Sequence, residues 1–121
     1  MAGTSTEPRG GLYDHTDVST GESGWAANVI ANTQKISRWL GNLHVLDRDL
    51  TAPPGGETAG DAYIPAATAT GAWAVHEDEF CVYDGAAYVC YPIPVGTLVV
   101  IEDEGVLCRM TATGLTAGIA V

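Results

Sequence analysis

Positive charge is scarce in this chain of 121 residues. Lys and Arg total 5 against 15 Asp and Glu, a formal net charge of −10 at pH 7. The deficit is uneven. Residues 49–108 carry ten acids and no Lys or Arg, whereas residues 1–48 carry five acids (Glu7, Asp14, Asp17, Glu22, Asp47) and four bases (Arg9, Lys35, Arg38, Arg48). A surface of that sign repels phosphate backbones and anionic lipid, which argues against nucleic-acid and membrane partners. Large apolar side chains are also few. Leu, Ile, Val and Phe number 26, and 17 Ala raise the hydrophobic share to 46%. That content lies near the limit below which highly charged chains stay unfolded. The length allows one domain with a small core, so part of its stability is expected from a partner. No stretch approaches the ~20 apolar residues of a membrane span, and MAGTSTEPRGG lacks the apolar run of a signal peptide. The expectation is a protein made in the cytosol that stays soluble.

Cysteine is too rare for a disulfide framework, and no Cys-x-x-Cys pair exists for zinc. Cys81 and Cys90 flank an expected hairpin. With a four-residue loop, 84–87, they face each other directly; with a two-residue loop they are diagonal neighbours. With either loop, the first reading is two small buried hydrophobes in a reducing cytosol, and the second a cross-strand disulfide formed after release from the cell.

Residues 1–24 are rich in Gly, Ser and Thr, with Leu12, Tyr13 and Val18 as isolated apolar anchors, and read as an extended arm, disordered alone or ordered against a neighbouring subunit. A helix follows, with Ser23 as N-cap, Lys35 and Arg38 toward its C-terminal end, and Gly41 as C-cap. Val29, Asn32, Ile36, Trp39 and Leu43 alternate by three and four, a heptad seam with one Asn that would set register and partner number. The other reading is a single amphipathic helix lying on its own sheet, with Asn32 at the margin.

The remainder reads as strands. His44-Val45-Leu46 and Ala62-Tyr63-Ile64 are short candidates, and Gly71-Ala72-Trp73 leads out of an Ala/Thr-rich loop. A strong hairpin pairs 79–83 with 88–91 around Asp84-Gly85, and a second pairs 97–101 with 106–110 around Glu102-Asp103-Glu104-Gly105. The expected fold is α+β, mostly β: arm 1–24, then one amphipathic helix and a small antiparallel hairpin-rich domain over 25–121. Several strands would be bare edges unless the helix or another subunit covers them.

Chemistry finds little support. His76-Glu77-Asp78-Glu79 is the densest cluster of potential ligands, but it lacks the spacing of a calcium loop and reads as a solvated turn. Glu102-Asp103-Glu104 reads the same way, and Asp47-Arg48-Asp49 reads as a local ion-pair turn. The loop 55–61 has no Gly-Lys-Ser/Thr ending, no Gly-x-Ser-x-Gly elbow occurs, and His15, His44 and His76 are scattered. No catalytic residue, metal or cofactor is therefore assigned, and the chain is not read as an enzyme. Trp73, Tyr83 and Tyr88 lie in or beside the main hairpin. Core or interface packing is their first use, and stacking on sugars the second.

The run Leu46-Asp47-Arg48-Asp49-Leu50-Thr51-Ala52-Pro53-Pro54, then Ala59-Gly60-Asp61-Ala62-Tyr63-Ile64 and Ala69-Thr70-Gly71-Ala72-Trp73-Ala74, resembles a family. So does the continuation through Tyr83-Asp84-Gly85-Ala86-Ala87-Tyr88 to Glu102-Asp103-Glu104-Gly105-Val106-Leu107. That family is the uncharacterised domain of head-fibre, spike and tail-fibre proteins in tailed bacteriophages and gene transfer agents. The helix with Asn32-Thr33-Gln34-Lys35 is similar to the family's opening segment, so the match covers about residues 25–110.

The resemblance implies a virion structural part, made in the host cytoplasm, with no catalytic residues to carry over. Members often continue into a long receptor-binding region, whereas this sequence stops at Val121. That suggests a head-decoration protein or a fibre or spike base. Its partners would be itself (a homotrimer by analogy with fibres, a pentamer second) and phage capsid, portal-tail or fibre proteins. The alternative is a host-glycan-binding module using Trp73, Tyr83 and Tyr88. An enzyme degrading capsule polysaccharide needs two carboxylates in a cleft, for which so short a domain has little room.

Overall fold

The computed structural model describes residues 25–39 and 43–121. The arm anchors Leu12, Tyr13 and Val18 and the cap positions Ser23 and Gly41 lie outside the described residues. Helix α1 runs Trp25–Trp39 and contains no Pro or Gly. The strands are β1 His44–Val45, β2 Ala62–Tyr63, β3 Glu79–Tyr83, β4 Tyr88–Pro92, β5 Leu98–Ile101, β6 Val106–Thr111, β7 Gly114–Leu115 and β8 Ile119–Ala120. The fold is α+β and mostly β, as the sequence predicts.

Two sheets form. One has β3 at its centre between β2 and β4, all antiparallel. The other runs β1-β5-β6, with β1 parallel to β5 and β5 antiparallel to β6. The free side of β6 is shared: β8 pairs with Val106 and Leu107, and β7 with Met110 and Thr111. The sheets meet where Leu46 donates to the Ala62 carbonyl (2.8 Å) and Ile64 to that of Asp47 (3.1 Å).

Both hairpins follow from their turns. Asp84 Oδ1 accepts from Ala86 and Ala87 N–H at 2.9 and 2.8 Å, and Gly85 takes φ +103°. The loop is therefore 84–87, which sets Cys81 opposite Cys90. In the second hairpin Gly105, at φ +63°, donates to the Ile101 carbonyl at 2.9 Å. Gly71-Ala72-Trp73, read among the strands, is instead a single 3-10 turn. Its glycine has φ +64°, and the Trp73 and Ala74 amides bond back to Thr70 and Gly71, which pulls the chain out of extension.

Strand alternation sorts side chains into two clusters. The inner faces of both sheets contribute Val45, Val82, Phe80, Tyr91, Val99, Ile101, Cys108 and Met110, together with Leu43, to the main core. Across the other face of the three-stranded sheet, Tyr63, Trp73 and Cys81 form a second cluster, closed by Leu46, Leu50, Ala69, Tyr88 and Cys90. Segment 46–73, which includes β2, thus covers this face from within the chain. Gly118 marks the closest backbone approach. At φ +91°, a Cβ there would lie 2.8 Å from Cys108 Sγ and 3.0 Å from Val106, so only glycine passes the β7–β8 link beneath β6.

Candidate functional site

The residues expected to act divide into three places. The first is helix α1. Among its described side chains, Val29 is 42% and Ile30 57% exposed, and Asn32 is half-buried. Ile36 and Trp39 belong to the same helix, but their side chains lie outside the described residues. Leu43 requires correction. It follows the end of the helix and is 7% exposed in the main core, where its carbonyl accepts from Val100 at 3.1 Å. The pairing of β1 with β5 takes it out of the helical seam. Among the other described positions of the helix, 26, 27, 31, 33 and 34 are exposed and Asn28 is half-buried.

The second place is the aromatic hairpin. Tyr83 and Tyr88 are direct cross-strand partners, with ring centroids 5.3 Å apart. Trp73 does not join them as a third open ring. It is fully buried, packed edge-on against Tyr88 at 5.4 Å and tilted against Tyr63 at 5.4 Å, so it presents no face to a sugar. Its indole Nε1 has no hydrogen-bond partner, a desolvation cost of about 1–3 kcal/mol. Tyr88 is held from the other end, since its hydroxyl donates to Glu57 Oε2 at 2.6 Å. Burial, then this hydrogen bond and the Glu57 charge, push the Tyr88 phenol far above its ordinary range. The same bond holds the Glu57 carboxyl below the usual value.

Behind these rings Cys81 and Cys90 are joined as a disulfide, with Cα atoms 4.0 Å apart. This overturns the first reading, of two free thiols. Direct register brings the pair within bridging range, as the four-residue loop requires. Cys108 remains a free, buried thiol.

The third place is acidic. Asp47-Arg48-Asp49 is no local ion pair. Arg48 Nε and Nη2 grip both oxygens of Glu104 at 2.8 Å, and its remaining protons reach the carbonyls of Thr116 (2.8 Å) and Ala117 (3.1 Å). Parallel pairing of β1 with β5 brings residue 48 to the β5–β6 turn, 56 positions along the chain. Glu104 is accordingly held below its ordinary value by Arg48. Asp103 is pushed up by burial and by Asp47, Glu104 and Asp49.

Two groups of potential ligands draw within 4.8 Å: His76, Glu79 and Cys90, and Asp47, Asp49 and Asp103. In the first, Cys90 is oxidised and offers no thiolate, and His76 Nδ1 already meets Glu79 Oε1 at 2.8 Å. The second is a solvent-facing acidic cluster. Neither reproduces a nucleophile, base and orienting partner.

The sequence reading missed the outer face of the β1-β5-β6 sheet. Leu98, Val100, Leu107 and Ile119 share it, with Leu98 55% and Ile119 67% exposed. An open groove of about 430 Å³ runs here between Leu98, Leu107, Arg109 and Ile119. The signal was present in Leu98-Val99-Val100-Ile101, an unbroken apolar run of the kind found where both faces of a strand are covered.

These features define a small, mostly β domain with a disulfide-closed hairpin, a helix that exposes Val29 and Ile30, and no catalytic constellation among the described residues. The family model described as a protein of unknown function (DUF2793) matches residues 36–116, and the chain belongs to that family. No curated protein and no solved structure matches the chain.

Proposed function

We propose that the chain is a bacteriophage virion structural protein, a head-decoration protein or a fibre or spike base, that oligomerises and anchors to the particle. The resemblance over residues 25–110 supports the virion setting. The structural observation behind oligomerisation is that α1 leaves Val29 and Ile30 in solvent, while every buried apolar side chain among the described residues comes from 43–121. Exposed apolar side chains on a helix mark an association element. In this reading residues 1–24 dock on capsid, portal-tail or fibre proteins, and the acidic β domain faces outward. A homotrimer is preferred and a pentamer is second.

Light scattering of the purified protein tests the assembly. The expected result is a multiple of the 12.6 kDa chain, reduced to one chain by Ile36→Asp. A monomer indifferent to that substitution would remove the oligomer from the reading. Imaging virions with and without the protein places it on head or tail.

A second reading, a host-glycan-binding module, has one specific observation in its favour: the half-exposed Tyr83–Tyr88 pair beside Glu57. Tyr83→Ala is its test, because Tyr88 is already engaged by Trp73 and Glu57. Binding on a glycan array that this substitution abolishes would favour it, and a silent array would end it.

A further inference from the structure

We propose that Cys90 is the sulfur through which a dithiol reductant opens the Cys81–Cys90 bond by thiol–disulfide exchange, with His76 as its charge partner. The fold brings three groups together there. A His76 ring nitrogen, a Glu79 carboxylate oxygen and Cys90 Sγ all lie within 4.8 Å of one another. Glu79 precedes Cys81 by two residues on β3, so strand alternation sets it on the face of the disulfide. The turn before β3 returns His76 to that face. Its amide donates to the Trp73 carbonyl at 2.9 Å, and its carbonyl accepts from the Glu79 amide at 3.2 Å. His76 Nδ1 then meets Glu79 Oε1 at 2.8 Å, which fixes the ring. Oxidised, this trio lacks a nucleophile. Reduction supplies one, since a cysteine beside a histidine is a usual setting for a reactive thiolate.

The two sulfurs are not equivalent. Cys81 lies on the central strand β3 and is fully buried, whereas Cys90 lies on the edge strand β4 and is half-buried. An incoming thiolate therefore attacks Cys90 Sγ. A bond forms between those two sulfurs, the Sγ–Sγ bond breaks, and its electron pair leaves on Cys81, which takes up the proton released by the incoming thiol. A single thiol gets no further, because Cys81 faces Cys90 directly and attacks the adduct in turn. A dithiol resolves it. Its second thiolate attacks its own sulfur in the adduct, Cys90 leaves as a thiolate next to His76, and the second proton goes to that pair. The reductant is oxidised by two electrons to a disulfide, and the hairpin holds two thiols. The other titratable groups on this face are Tyr63 and Tyr88, whose phenols burial pushes up, and Glu57 on the Tyr88 hydroxyl. The Glu57 charge opposes a thiolate, so His76 is the group that favours it.

Two experiments on the full chain test it. The oxidised, unmodified protein is treated with excess glutathione, quenched in acid and cut by chymotrypsin, which separates the two cysteines at Tyr83 and Tyr88. Mass spectrometry should find the mixed disulfide on Cys90. Dithiothreitol at the same thiol concentration should open the bond, and glutathione should leave most of it closed. In the second experiment Cys81→Ala leaves Cys90 as a free thiol, with the fold checked by near-ultraviolet circular dichroism. Its reaction with a small aromatic disulfide should rise with pH about a midpoint below the ordinary thiol value of about 8.5. Cys108 is buried, so the first equivalent released reports Cys90. His76→Gln should raise that midpoint and slow the reaction at pH 7 by about threefold. Glu79, a positioning residue acting through the imidazole, should move it partway when changed to Gln. An adduct on Cys81, a bond that both reductants open alike, or a midpoint unmoved by His76→Gln would each overturn the proposal. Should Cys81→Ala not fold, His76→Gln is placed in the oxidisable chain at pH 8. It should then need several-fold more reduced dithiothreitol to open half the molecules, and an equal requirement overturns the proposal.

Discussion

At the scale of single residues, Arg48 does the most structural work. Its guanidinium joins the segment after β1, the β5–β6 turn and the β7–β8 link in one set of hydrogen bonds. Its bidentate grip on Glu104 is only partly exposed, at 18% and 29%, and so is less screened than an open surface pair. Because the folded Glu104 carboxyl sits below its ordinary value, its stabilisation is present above that value and lost as pH falls through the lowered one. Glu104→Gln should therefore lower stability at pH 7, with the gap from the unmodified protein closing as denaturant melts are taken toward pH 3. A gap that stays constant would mean that Arg48 holds the turn through Thr116 and Ala117 alone. Asp103 runs the other way. Its raised carboxyl makes ionisation costly in the folded state, a cost that acidification removes.

Among the elements, the hairpin of β3 and β4 is the most strongly specified. An Asp-Gly turn sets its register, paired tyrosines extend it, and Cys81–Cys90 closes a loop of sequence separation 9. Cross-linking a loop of that size restricts the unfolded chain by about 2–3 kcal/mol. Replacing both cysteines by Ala should lower the unfolding free energy by about that amount, read from the denaturant midpoint at unchanged slope. A loss below about 0.5 kcal/mol would show that ring packing on Trp73, not the cross-link, holds the hairpin. Helix α1 behaves oppositely. Fifteen residues are marginal for a helix alone in water, and the apolar Val29 and Ile30 on it stay exposed. Its stability is therefore expected to depend on protein concentration.

For the whole molecule, the main core and the cluster behind the hairpin both draw on residues 43–121. A chain of 43–121 should thus keep the near-ultraviolet signal of buried Trp73 and melt independently of concentration. The full chain should show a concentration-dependent transition. Loss of the Trp73 signal in the shorter chain would place part of the core in the helix instead.

Much of the fold was legible wherever the information is local. Asp84-Gly85 with flanking β-branched and aromatic residues marks a hairpin, and Glu102 to Gly105 marks another. β7 and β8 were not legible. Two-residue strands carry no period, and these two exist only because β6 has a free edge. Leu43 was misplaced because heptad spacing continues past the residue where the chain turns into β1. Trp73 kept a second reading, as a sugar-stacking ring, because nothing in its neighbourhood reveals that segment 46–73 folds over the disulfide.

Residue order alone sufficed for the class, α+β and mostly β, for the acidic sign that turns away phosphate, and for the two hairpins. Those depend on composition and on contacts a few residues apart. The Arg48–Glu104 clasp and the parallel pairing of β1 with β5 depend on segments meeting across tens of residues. Such meetings are set by the packing of the whole chain, and local spacing carries no trace of them.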